Sequence, residues 1–307
     1  MGDYGQEGGR LLIFDYLLDT LIYIGIYAIL AISLNLEAGY TRLMNFGKVA
    51  FFAIGAYTST LLSIAGMPFI VGLIGGIILS ALLGLLIALP TLRLRADYLA
   101  IVTLASGEIL RLFFLNEQWL TDGPMGIRGI PQPMYTVFED NYIIFYALLV
   151  YGILLICYIF AEKLINSPFG RTLKAIRDDE DAVQVFGKNT FNLKIKVFVI
   201  SSCMASISGT LFAHYLAYIS PDMFFPSLTF SVWTMMVIGG TANNMGVIMG
   251  AVMIQVFERG TRFLKDFVSL PVEPYNLRII IIGLLLILFI LYRPDGMIKE
   301  KKSKGRL

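Results

Sequence analysis

Charge is scarce in this chain. Asp, Glu, Lys and Arg make up 15% of its 307 residues, against about a quarter in soluble domains. With 24 basic and 22 acidic residues there is no excess of one sign, and nucleic acid is not expected as a partner. Cysteine and histidine are nearly absent: Cys157 and Cys203 both fall in apolar runs, and His214 stands alone. This argues against a disulfide framework and a metal site. With no carboxylate beside His214, no catalytic constellation is visible either. A phosphate-binding loop is also missing, because neither Gly47-Lys48 nor Gly187-Lys188 has the upstream glycine and the following Ser or Thr. The chain is therefore expected to be no enzyme and to carry no cofactor of its own. The opening MGDYGQEGGR places two acids before Arg10 and lacks a basic start and a small-residue cleavage site. No removable signal peptide is expected, and the first helix should direct its own insertion.

Apolar residues are what the chain has in abundance, 57% of the total, with a mean hydropathy of +0.75. The composition predicts an all-α, polytopic transmembrane helix bundle, a single domain over 1–307. A bilayer core about 30 Å thick takes roughly 20 apolar residues per helix, which leaves room for about eight to ten spans. Apolar stretches run over 11–36, 44–64, 69–89, 98–115, 142–164 and 195–219. The stretch 224–262 is too long for one crossing and is interrupted by Gly239-Gly240-Thr241-Ala242-Asn243-Asn244; 277–292 closes the series at about nine passes. Glycine and asparagine at membrane depth need protein or water around them, so the interruption is a turn or a re-entrant tip, and the turn is favoured. With the N-terminus outside, 17 of the 24 basic residues fall on the inner side, among them Arg42, Lys48, Arg93, Arg95, seven over 163–196 and six over 293–306. Basic loops stay inside, so the tail 293–307 is expected in the cytoplasm of a multi-pass plasma- or inner-membrane protein, in contact with lipid. Gly72, Gly76, Ser80, Gly84 and Ala88 recur every four residues along one helix face, a spacing that permits close backbone contact within the bundle or between chains.

The long inner segment 166–192 stands apart. Pro168 near its start and Gly187 past its end bracket a short helix, with Leu173, Ile176, Val183 and Phe186 near one face and charges largely on the other. Such a helix suits a groove on a cytoplasmic protein; the alternatives are the lipid interface or its own bundle. Glu108 and Arg111, three apart inside the fourth span, can pair on one face, and they either line a route through the bundle or fix helix packing. His214 reads as a packing or interfacial residue. The outer loop 116–141 carries Gly123, Pro124, Gly126, Gly129, Pro131 and Pro133 and predicts a rigid, turned surface, which receives a partner or only connects two helices.

Four blocks together resemble the M-type permease of branched-chain amino-acid ABC importers. They are Ser33-Leu34-Asn35-Leu36 with Gly39-Tyr40 through Phe51 to Tyr57; Thr103 to Ile109 leading to Leu120 to Pro124 and Gly129-Ile130-Pro131; Gly170 to Gly187; and Tyr292-Arg293-Pro294-Asp295-Gly296. The wording Ala175-Ile176-Arg177-Asp178 is similar to the M-type rather than its H-type partner. Arg42-Leu43 and Lys48 depart from the family's usual Gly-Gln and His, so no role is transferred to that turn. The resemblance implies a type II importer permease fold and alternating access without chemistry in this chain. It also implies a coupling loop seated on one of two ATPase subunits that hold ATP and magnesium. Gly170, Arg171, Leu173, Ile176, Arg177, Asp178, Glu180, Val183, Phe186 and Gly187 carry that coupling; Glu108, Arg111 and Asn35 are the candidates for the translocation path. A second, H-type permease and an extracytoplasmic amino-acid-binding protein complete the implied assembly. A urea or amide permease of the same superfamily would read similarly. An ion-coupled secondary carrier would show more intramembrane acids and an internal repeat, and would have no use for a docking helix.

Overall fold

The computed structural model describes residues 4–93, 96–265, 283–289, 291–293 and 296–300. The expected last span over 277–292 is helical at 283–289 and 291–292, while its start, Arg95, Pro294, Asp295 and the tail beyond residue 300 lie outside the described residues. Helix α1 (Tyr4–Leu34) continues as a π-turn over Asn35–Gly39. There follow α2 (Lys48–Ile64), α3 (Phe69–Thr91), α4 (Ala96–Asn116), the single turn α5 (Gln118–Thr121), α6 (Tyr142–Asn166), α7 (Pro168–Asp178), α8 (Glu180–Val185), α9 (Thr190–Leu216), α10 (Pro226–Gly239) and α11 (Asn244–Lys265). Among the described residues five helical stretches are long and apolar enough to cross a membrane: Phe14–Gly39, Phe69–Thr91, Tyr98–Asn116, Tyr142–Asn166 and Thr190–Leu216; Lys48–Ile64 and Pro226–Gly239 are apolar but shorter. The molecule is an all-α, multi-pass membrane bundle.

Burial separates its centre from its periphery. Two-thirds (67%) of the apolar windows of α1 and α9 are buried, against 22% in α3 and α6 and 28% in α4. The centre is built on small residues, because lipid offers no hydrophobic force to press helices together and close contact must come from shape. On α3 the predicted stripe Gly72, Gly76, Ser80, Gly84 and Ala88 is the buried face, while Ile70, Ile74, Ile78, Leu82 and Leu86 point outward. The stripe is spent within the chain: a Cβ on Gly76 would sit 3.0 Å from Ser206 Oγ and 3.3 Å from Gly55 Cα, and Ser80 Oγ donates to the Ser202 carbonyl at 2.9 Å. Contact is closest at Gly209 of α9, where a Cβ would lie 1.8 Å from the Phe52 carbonyl oxygen of α2.

The two ends of the bundle differ. At the end opposite the α6–α7 junction, the loop after α4 is pinned by a short antiparallel pairing of β1 (Ile127–Arg128) with β2 (Tyr218–Ile219). His214 Nδ1 donates to the Pro131 carbonyl at 2.8 Å, and the ring packs edge-on against Phe69. The loop is thus turned and fixed as its glycines and prolines predict, and His214 is a packing residue. At the α6–α7 end, α10 and α11 are joined by a tight turn, with Gly240 at φ 117° and Ala242 at φ 59°.

Candidate functional site

The π-turn Asn35–Gly39 gathers the polar contacts of the α6–α7 end. Opening a helix by one residue per turn shifts side chains off their regular faces, and here it turns Asn35 and Glu37 into the bundle; both are fully buried. Glu37 accepts from Asn45 Nδ2 at 2.9 Å and from Ser201 Oγ at 2.5 Å, and its Oε1 lies 3.1 Å from Lys48 Nζ. Lys48 also contacts Ser201, and neither charged side chain has any exposure. A buried pair survives only when its remaining donors and acceptors are satisfied, and the α1–α2 turn, through Asn45, and α9, through Ser201, supply partners. Lys48 is therefore no loop charge on the inner side, as the basic-residue count takes it; it is the first residue of α2 and faces the core.

Asn35 joins this hub to the α10–α11 turn. Its Nδ2 donates to Asn244 Oδ1 at 2.9 Å, its Oδ1 accepts from the Ala242 N–H at 2.9 Å, and Asn244 in turn donates to Glu162 of α6 at 3.0 Å. Gly39 is required here: a Cβ would lie 2.1 Å from Asn35 Oδ1. Both ends of the Asn35 amide are thus engaged inside the protein.

The segment after α6 starts as its sequence dictates. Ser167 caps α7, accepting from the Gly170 N–H at 3.3 Å, and Pro168 occupies the first turn. A Cβ at Gly170 would meet the Ile165 carbonyl at 2.2 Å, so only glycine permits this corner. One helix was expected to Gly187, but there are two. Asp179 is extended (φ −155°, ψ 103°) and its side chain caps α8 by accepting from the Ala182 N–H, a local bond that competes with continuing the helix. The break divides the expected apolar stripe. Leu173, Ile176 and Val183 are buried against the chain's own bundle, whereas Phe186 is 83% exposed and its neighbour Val185 is 86% exposed. Arg171 and Asp178 are exposed and Gly187 ends the segment at φ 75°. Glu180 ties α8 to α9 through Lys194 at 2.5 Å. Arg177 Nη1 reaches back to the Gly39 carbonyl at 3.3 Å. Burial opposes its charge, but Glu300 and Asp178 outweigh that cost and hold its pKa above the ordinary value.

Glu108 and Arg111 pair as their spacing predicts, with Arg111 Nη2 to Glu108 Oε1 at 2.6 Å and Nε bonded to both carboxylate oxygens. The Arg111 side chain is 10% exposed, stacks on Phe225 at 4.5 Å and approaches Asp222 at 3.8 Å; the Glu108 side chain is 37% exposed. Its partners, Asp222 and Phe225, differ from those of Asn35, whose amide is bonded to Asn244 and Ala242. Two clusters carry no sequence signal of the kind a spacing rule detects: Glu37 with Lys48, eleven residues apart, and Asp19 with Arg259 and Tyr215, where Arg259 lies 3.7 Å from the Tyr23 ring centroid.

Comparison with known proteins places these features in context. The sequence pattern of the branched-chain amino acid transport system permease component matches residues 16–290. The high-affinity branched-chain amino acid transport system permease protein LivM of Salmonella typhimurium is 33% identical, over 92% of this chain and 70% of its own length. The probable branched-chain amino acid transport permease protein LivM of Methanocaldococcus jannaschii is 31% identical over 94% of each chain. The LivH permease of Salmonella typhimurium is similar at 25% identity, over 89% of this chain and 91% of its own. No solved structure matches the chain.

Proposed function

The chain belongs to the branched-chain amino acid transport permease family, and from that premise we propose that it forms one side of the translocation path of an ATP-driven importer of hydrophobic amino acids. The observation that carries this reading is the α7–α8 segment. Its buried residues Leu173 and Ile176 anchor it to the bundle, while Val185 and Phe186 stand exposed at its far end. An anchored helix with an unpaired apolar tip suits a groove on a separate ATPase, whose ATP-driven movement then reaches the bundle as alternating access. Two such ATPases hold ATP and magnesium, and this chain supplies no chemistry. Similarity to both LivM and LivH relatives supports an M-type role beside a second, H-type permease.

In this reading the fold is that of a type II importer permease with eight to ten spans, one domain over 1–307, its N-terminus outside and the tail 293–307 in the cytoplasm, in line with the distribution of basic residues. The fixed loop 116–141 faces an extracytoplasmic binding protein. Glu108, half-exposed at membrane depth, lines the route with Arg111, since a carboxylate does not face hydrocarbon. Asn35 holds the α10–α11 turn at the inner end of that route.

The test is Phe186→Asp in the tagged full chain. Membrane insertion is expected to persist while the ATPase no longer copurifies and uptake of leucine is lost. An intact complex with normal uptake would sink the coupling role.

A further inference from the structure

The residues that follow the last helix do not simply trail from the bundle. Met297 N–H donates to the Ile238 carbonyl at 2.8 Å and Ile298 N–H to the Gly239 carbonyl at 3.1 Å, so the strap 296–300, an irregular segment, satisfies the final carbonyls of α10. From the other side of the turn, Asn243 Nδ2 donates to the Lys299 carbonyl at 2.9 Å. Gly296, at φ 71°, brings its backbone against Gly240: a Cβ there would lie 2.4 Å from Gly240 Cα, so no other residue permits this seat. Three hydrogen bonds and a backbone contact thus fix the strap to the α10–α11 turn. Glu300 links it to the segment after α6. Glu300 Oε2 lies 3.0 Å from Arg177 Nη1 and Oε1 lies 4.0 Å from Lys174 Nζ, both on one face of α7. The same Arg177 nitrogen bonds the Gly39 carbonyl at the end of α1.

We propose that the strap 296–300 is a working part of the coupling apparatus, with Glu300 the positioning residue that joins α7 to the α10–α11 turn. This rests on the reading of α7–α8 as the ATPase-coupling segment. A helix displaced by an ATPase needs a connection to the elements it moves. Through Arg177 it has two: directly to the π-turn of α1, and through Glu300 to the strap and thence to α10 and α11. The Arg177–Glu300 pair is partly exposed, 16% and 32%. Such pairs contribute little to static stability, so reversing one charge removes the link and leaves the fold.

The experiment uses the full chain in its assembled complex, reconstituted in proteoliposomes, with leucine uptake and ATP hydrolysis measured together. E300K, and E300Q as the milder variant, are expected to assemble and hydrolyse ATP while leucine carried per ATP falls roughly three- to tenfold. E300D, which keeps the carboxylate and leaves Arg177 on the Gly39 carbonyl, is expected to retain most of the wild-type ratio. An unchanged ratio in both E300K and E300Q overturns the proposal. So does a parallel fall of uptake and hydrolysis that E300D shares, since it marks a general structural role. F186D separates the two readings: if it detaches the ATPase while E300K keeps the wild-type ratio, the strap proposal alone falls. If F186D leaves both the complex and uptake intact, the coupling reading beneath it falls.

Discussion

Lys48 and Glu37 are held by geometry that only the folded chain creates, and their removal should register as stability. Replacing Lys48 with Met leaves a buried carboxylate unpaired, which costs about 3–5 kcal/mol. The detergent-purified K48M protein should melt well below the wild type, and E37Q/K48M should regain most of the loss, because two neutral groups need no charge compensation. Equal melting of K48M and wild type would show that the pair bears no load. The Glu108–Arg111 pair is different, being open on one side. Glu108→Gln should leave the melting temperature unchanged but reduce uptake; reduced melting with normal uptake would make the pair a packing device. The contrast also marks what the sequence discloses at this scale. A separation of three on one helix announces the Glu108–Arg111 pair, whereas Glu37 meets Lys48 across a turn and only because a π-turn rotates it inward.

At the scale of elements, small residues fix the packing and capping residues fix the breaks. The stripe on α3 was readable, since a four-residue recurrence of Gly, Ser and Ala has few other uses in a membrane helix. The break at Asp179 was not, because an aspartate inside an amphipathic run reads as a polar-face residue until its side chain is seen to cap α8. That break sorts the mutations. Ile176→Asp places a charge in the chain's own core, where Ile176 is 4% exposed, so it should reduce the amount of folded permease. Phe186→Asp should not, and expression with size-exclusion profiles of the two variants separates these outcomes. Glycines provide a second test. Gly209→Ala puts a methyl 1.8 Å from the Phe52 carbonyl and should abolish the α2–α9 contact and the folded protein with it. Gly152→Ala meets nothing within 4 Å and should be neutral, or stabilising by about 0.5–1 kcal/mol. Equal yields from the two would contradict the close packing described for α9.

For the whole molecule, composition alone gives a multi-pass bundle, and the interruption at Gly239–Asn244 announces two helices where one apolar run is written. What composition leaves out is how the chain closes on itself at the α6–α7 end, where Asn35, Arg177, Asn243 and Glu300 meet from four distant parts of the sequence. Contacts between residues so far apart carry no periodicity and emerge only with the fold. They also give the molecule its asymmetry, with a networked end and a fixed loop at the other. The central claim, that this chain transports only together with an ATPase it does not contain, is tested most directly by copurification. The tagged chain is drawn from its native membrane and its companions are identified by mass spectrometry. An ATPase and a second permease in stoichiometric amounts are the predicted result; the chain recovered alone, or only with copies of itself, would contradict it.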